Sequence, residues 1–425
     1  MEKPPAFFEK MIEYKELNSG IRLVTDKDPE MESACIGVMV AAGSSTETPE
    51  IEGISHVIEH MFFKGTKNRS YTQIAEDADN LGASYNAFTG KEATCFHIKT
   101  LTEVFPQACD ILFDMLLNSL FDPVELKREL GVIREEMHMV MDTPDDWIND
   151  LMTAAVFKDT ELESSIIGTK KTLASMSHNK IVDYIGKYYA KNNMVIAVVG
   201  NFDEKTLIKQ IDEYFIDLPE NAPEIERKQP LFTNTYINKS RDVSQSHICI
   251  GIPTISLASE DYYAQAIVNE VLGGSMSSML FQNIRERKGL AYTVFSYPLS
   301  YSQSGALCIY TGLSLGNEKL AVNAIADELE GLGKNGLNYD MIEKVKVRLK
   351  SGYIFSREKS ETRMISLAKN RLLLGRNFTP EETLNEINSI TEKQVNHFCK
   401  SISDISKYSG ASISKDRLNL KKLIG

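Results

Sequence analysis

At 425 residues the chain exceeds one ordinary domain and has room for two or three. Apolar residues make up 42% and charged residues 25%, which excludes wholesale disorder. An excess of 59 acids over 47 bases leaves a formal charge of −12, which argues against nucleic acid as the main partner.

The first residues, MEKPPAFFEKMIEY, hold two prolines and no apolar core, so they do not read as a secretory signal or an Arg-rich transit peptide. No later run reaches the roughly 18 apolar residues of a membrane span. The six cysteines are scattered without a C-x-x-C spacing and read as buried, reduced thiols, so the expected setting is cytoplasmic. Apolar and alternating runs predict strands over 21–25, 34–42, 93–99 and 194–199. Helical periodicity covers 52–64, 71–81, 103–118, 123–141 and 169–189. Strands and helices do not alternate regularly, which predicts an α+β fold, helices packed on a largely antiparallel sheet.

The stretch DLPENAPEIERKQP is rich in proline and acids, and predicts a linker at 218–230. On either side the sequence repeats. SACIGVMVAAGS (33–44) matches SHICIGIPTISL (246–257), and ISHVIEHMFF (54–63) matches AQAIVNEVLG (264–273). A third pair, 172–189 and 383–402, follows in the same order at nearly the same offset of about 210 residues. The expected organisation is therefore two homologous domains, 1–217 and 231–425.

The sharpest local signal is His56-Val57-Ile58-Glu59-His60. Residues four apart share one helix face, so both imidazoles can point at one ion, and two neutral imidazoles suit zinc. Glu59 sits beside them, placed to take a proton from an attacking water. A third ligand is expected from the helix at 123–141. Stepping about 100° per residue, Glu136 falls on the apolar stripe of Leu126, Ile133, Met137 and Val140, and Glu129, seven residues earlier, returns to nearly the same direction. Glu135 falls outside that stripe and His138 nearly opposite. A core-facing carboxylate is costly unless it is paired or coordinated. Glu136 is thus the expected third ligand and Glu129 the support for a ligating histidine.

With these residues in place, H-x-x-E-H in GISHVIEHMFFKGT (53–66) and the paired glutamates of ELGVIREE resemble the pitrilysin/insulinase family of zinc metallopeptidases. The length and the two halves resemble the branch of the mitochondrial processing peptidase and its bacterial relatives. The resemblance implies a zinc-dependent endopeptidase acting on short or unfolded peptides inside a chamber shared with a second subunit, a homodimer or a heterodimer with a related chain. It implies that LGASYNAFTGKEATCF (81–96) is a strand pair whose edge takes substrate as an added strand, with Asn86 and Ala87 at the substrate backbone. Spacing alone leaves Gly82–Gly90 open as a plain hairpin turn. It also implies that Arg285 and Tyr292, in FQNIRERKGLAYTVFSY (281–297), bind the substrate carbonyl; on spacing alone they read as surface residues. The repeat sets Ala266, Asn269 and Glu270 opposite His56, Glu59 and His60, so one zinc per chain is expected. The alternative is a non-catalytic scaffold or regulatory subunit of the same family.

Overall fold

Two sheets with one strand order carry the structure, a computed structural model that describes residues 12–224, 228–230 and 234–424. The N-terminal residues 1–11 and linker residues 225–227 lie outside the described part. The first sheet holds β1 (Ile12–Glu16), β2 (Arg22–Lys27), β3 (Ser33–Val40), β4 (Ser84–Thr89), β5 (Thr94–Leu101) and β6 (Met194–Gly200), in the order β1-β2-β6-β3-β5-β4. The second holds β7 (Tyr236–Ser240), β8 (Gln245–Thr254), β9 (Ala291–Ser300), β10 (Gly305–Ser314) and β11 (Ser409–Ser414), in the order β7-β11-β8-β10-β9. Without β1 the two orders are the same, strand for strand. Each sheet has one parallel pair, β2–β6 or β7–β11, and is otherwise antiparallel. The architecture is α+β, as the sequence predicts.

The central strands are buried on both faces, which is why they read as continuous apolar runs rather than alternating ones. In the first sheet, Val24, Cys35, Met39, Cys95, Val195, Ala197 and Val199 form one face and pack against Met364, Leu367 and Ala368 of the helix Ser360–Leu374. Gly37 permits this approach, since a Cβ there would sit 2.2 Å from the Met364 Sδ. The second sheet repeats the device. Ile148, Met152 and Ala155 of the helix Pro144–Val156 pack on Cys249, Cys308, Ala411 and Ile413, and a Cβ on Gly251 would lie 3.2 Å from the Met152 Cε.

Each sheet is therefore covered by a helix drawn from the other half of the sequence, which corrects the expected linear division at 217 and 231. Among the described residues, one compact unit comprises 12–136, 164–224 and 354–383; the other comprises 137–163, 228–230, 234–353 and 384–424. The physical reason is that a strand buried on both faces needs two covering layers, and a duplicated chain can supply the second by exchange. In the first unit the exchanged segment is also fixed by charge: the buried Asp26 accepts from Arg363 at 2.6 Å, with Arg357 at 3.4 Å.

Capping residues explain where the predicted helix 169–189 divides. Thr169 opens a short helix, Lys170–Ala174, with a capping box, and the Ser177 side chain caps the next, His178–Tyr188. The repeated segment divides likewise into Pro380–Ser389 and Glu392–Ser401, with Thr391 and Gln394 forming the capping box. All six cysteines are buried and unbridged. No helix among the described residues is long and apolar enough to cross a membrane.

Candidate metal centre

The motif helix, Ile54–Phe62, begins two residues before His56. Ile54, Val57, Ile58, Met61 and Phe62 are fully buried, at the i, i+3, i+4, i+7, i+8 spacing of a core-facing stripe. That stripe fixes the rotation of the helix and leaves His56, Glu59 and His60 together on its flank. The second element is the helix Pro123–Asp142, whose first turn is capped by Asp122 accepting from Val124 and Glu125. Its Leu126, Ile133 and Met137 are buried, while Glu135 and His138 are exposed, as the periodicity predicts.

The two helices converge on one point. The Nε2 atoms of His56 and His60 lie 3.7 Å and 3.6 Å from one oxygen, Glu136 Oε2. Among the described residues these three side chains form the set that could hold a metal, with donor atoms all within 4.8 Å of one another. An ion about 2.0–2.2 Å from each donor fits such separations, and a His, His, Glu set suits zinc while leaving a fourth position open. Glu129 is 7% exposed; one of its oxygens lies 3.2 Å from His60 Nδ1, and the other accepts from Lys64 at 2.7 Å. A carboxylate on the far nitrogen fixes the ring's tautomer, presenting Nε2 as a lone pair. Lys64, one turn beyond His60, was not singled out by the sequence, although its i+4 spacing points to the same face.

Glu59 stays outside the donor set. Its Oε2 accepts a 2.5 Å hydrogen bond from the Thr89 hydroxyl at the end of β4. Burial pushes the Glu59 carboxyl above the ordinary carboxylate range, and the Thr89 hydrogen bond opposes the shift. Nothing in the sequence pairs positions 59 and 89; the turn at Gly90–Ala93 brings them together.

Burial also pushes the His56 imidazole down to about 4, with His60 adding to the effect. The unfolded chain takes up a proton here at about 6.5, and the folded one only near 4. The stability this histidine confers is therefore fully present above pH 6.5 and is lost as pH falls towards 4. For a side chain this buried, the difference is about 2–3 kcal/mol between pH 7.5 and 4.5 at about 1.4 kcal/mol per unit. Urea melts of the metal-free protein and of His56→Gln at both pH values test this: the parent should lose that much more stability than the variant.

The remaining predicted site residues are placed as follows. Asn86 and Ala87 lie on β4, the edge strand of the first sheet, with Asn86 exposed and Ala87 buried. Residues 84–89 are thus strand, and the tight turn begins only at Gly90. Arg285 and Tyr292 belong to the second unit and are not part of the metal set. Arg285 lies in the π-helical segment Phe281–Arg287, stacked over the Phe281 ring at 4.7 Å and 3.6 Å from Glu286. Tyr292 is 63% exposed on β9, the edge of the second sheet, whereas the nearby Tyr297 donates to Asn149 at 2.6 Å.

Comparison with known proteins bears on this arrangement. Residues 22–170 match the model of the insulinase family, peptidase family M16, and residues 175–349 match that of the M16 inactive domain. The uncharacterized zinc protease YmxG of Bacillus subtilis is 38% identical over 92% of this chain and 96% of its own length. The chain belongs to peptidase family M16. An uncharacterized zinc protease of Streptomyces coelicolor is 32% identical over 89% of this chain and 84% of its own length. Among solved structures, an M16 inactive domain from Pseudomonas fluorescens superposes with a TM-score of 0.88 at 18% identity, over 95% of this chain and 98% of that one. A protease from Helicobacter pylori superposes equally well, also at 0.88 and 18% identity, over 95% of this chain and 99% of that one. The insulinase match, residues 22–170, includes His56, Glu59, His60, Glu129 and Glu136.

Proposed function

We propose that the chain is a zinc-dependent endopeptidase that cleaves short or unfolded peptides. The observation that carries this reading is the convergence of two imidazole nitrogens and one carboxylate oxygen beside the half-buried, hydrogen-bonded Glu59. When bound, zinc supplies Lewis acidity, which polarises a carbonyl and acidifies water. The protein's own residues do the rest. Glu59, its proton affinity raised by burial, accepts the proton of the attacking water and returns it to the leaving amine nitrogen. Thr89 holds one Glu59 oxygen and leaves the other available.

The unpaired edge of β4 offers main-chain donors and acceptors to an extended peptide, with Asn86 and Ala87 alongside, so affinity depends little on side-chain identity. Arg285 and Tyr292 bring a guanidinium and a phenol suited to a developing oxyanion. One metal set per chain accords with the second half, where Ala266, Asn269 and Glu270 stand in for the motif. The proposed partner is a second copy or a related subunit that closes a chamber around the peptide, and the proposed compartment is the cytoplasm.

The test is metal analysis of the purified chain, with cleavage of a panel of unstructured fluorogenic peptides before and after chelation. About one zinc per chain, with cleavage lost on chelation and restored by zinc, is expected. Zinc-loaded protein that cleaves no peptide at any concentration would favour the scaffold reading, since the site would then be intact without turnover.

A further inference from the structure

The two histidines are held in different ways. His60 has Glu129 on its Nδ1, whereas the His56 Nδ1 is buried with no hydrogen-bond partner among the described residues. The His60 ring meets the His56 ring edge-on at 4.7 Å, but no side chain among the described residues bonds its Nδ1, so its position leans on the backbone of the first helical turn. That turn cannot be capped locally. Gly53, the residue before the helix, has φ +91° and no side chain to offer. A Cβ there would lie 2.5 Å from the Ile167 carbonyl oxygen, and one on Gly168 would lie 2.3 Å from that of Glu52. The chain crosses itself here at backbone contact, and Ser, Thr, Asp and Asn, the ordinary capping residues, are excluded.

The missing cap comes from upstream. Glu47 Oε2 accepts from the Gly53 N–H at 2.6 Å, and Glu47 Oε1 accepts from the Ser55 N–H at 2.9 Å. One carboxylate thus satisfies two donors of the first turn, at the end of the helix where negative charge is favoured. A second chain of bonds holds the next residue. The Thr46 hydroxyl donates to the Gly43 carbonyl at 2.7 Å, so it accepts from the Tyr184 hydroxyl, which accepts in turn from Ser55 at 2.9 Å. Tyr184 is 3% exposed and its ring is packed against Tyr188. The same loop is tied to the turn after β4 through Ser44 N–H to Gly90 O and Ser45 N–H to Lys91 O. It therefore connects the start of the motif helix with the strand that carries Thr89.

We propose that Glu47 and Tyr184 are positioning residues for the metal centre, holding His56 through the backbone of the first turn as Glu129 holds His60 through its ring. The proposal rests on the reading that His56, His60 and Glu136 bind zinc. It is tested on the full chain by chelator-competition titration of zinc and by the absorption spectrum of the cobalt-loaded protein. The work is done at pH 8, above the value of about 7 to which burial pushes the Glu47 carboxyl.

Glu47→Gln, which turns one acceptor into a donor facing an N–H, should weaken zinc by about 10–100-fold, the range for lost outer partners of a metal ligand. It should also alter the cobalt bands and lower kcat more than KM. Tyr184→Phe keeps the ring and removes the hydroxyl, and should shift affinity and spectrum the same way to a smaller extent; it decides the matter if Glu47→Gln does not fold. Folded variants with parental zinc affinity and parental cobalt bands would overturn the proposal, even with a lowered melting temperature. A parent that binds neither metal would instead overturn the metal-centre reading itself, so the two failures are distinct.

Discussion

Glu59→Gln is expected to keep about one zinc per chain and to lose about a thousandfold or more in kcat for peptide cleavage, with KM nearly unchanged. Glutamine has the shape of glutamate and still offers Oε1 to the Thr89 hydroxyl, so the helix and the 2.5 Å contact to β4 survive. What it cannot do is accept a proton, and positioned general bases contribute about 10²–10⁴-fold. Glu59 lies outside the His56, His60 and Glu136 donor set, so metal content is not expected to follow activity. A variant retaining more than about a tenth of parental kcat would show that the proton leaves by another route.

The second large effect separates the two glutamates of the helix Pro123–Asp142. Glu136→Gln removes the one oxygen that both Nε2 atoms face, and with it the negative charge in the donor set. Zinc affinity and activity should both collapse, with activity returning little even at excess zinc. Glu129→Gln removes a partner rather than a ligand: His60 Nδ1 and the Lys64 ammonium lose their shared carboxylate. Zinc should weaken by about 10–100-fold and excess zinc should restore most of the activity. Chelator-buffered zinc titrations of the two variants provide the comparison. Equal losses in both would mean that the seven-residue spacing does not separate ligand from support.

Much of this centre is legible before folding because helices are local. His56, Glu59 and His60 are set by a four-residue spacing, and Glu129 and Glu136 by two turns on a stripe whose Leu126, Ile133 and Met137 are buried and whose Val140 is half-buried. The repeat likewise shows in residue patterns and reappears as an identical strand order. Thr89, Glu47 and Tyr184 were not legible. Each acts through contacts between residues 6 to 138 apart in the chain, and a single hydroxyl or carboxylate carries no periodic signal. Lys64 falls between, since its spacing was visible but gave no reason to prefer it over any solvated lysine.

The sequence by itself determined the kind of fold, the duplication and which residues meet at the candidate site, because strand burial, helix phase and the H-x-x-E-H spacing are properties of short segments. Only the tertiary structure decided which segments make each unit. The exchange of 137–163 and 354–383 leaves no mark in local patterns, for an apolar helix reads the same whichever sheet it covers. Only there does the need to bury both faces of β3 and β8 become visible, met by Met364 on Gly37 and Met152 on Gly251. The tertiary structure also decided how the first turn of the motif helix is held: a chain crossing at Gly53 and Gly168 excludes a local cap, so the carboxylate has to come from Glu47.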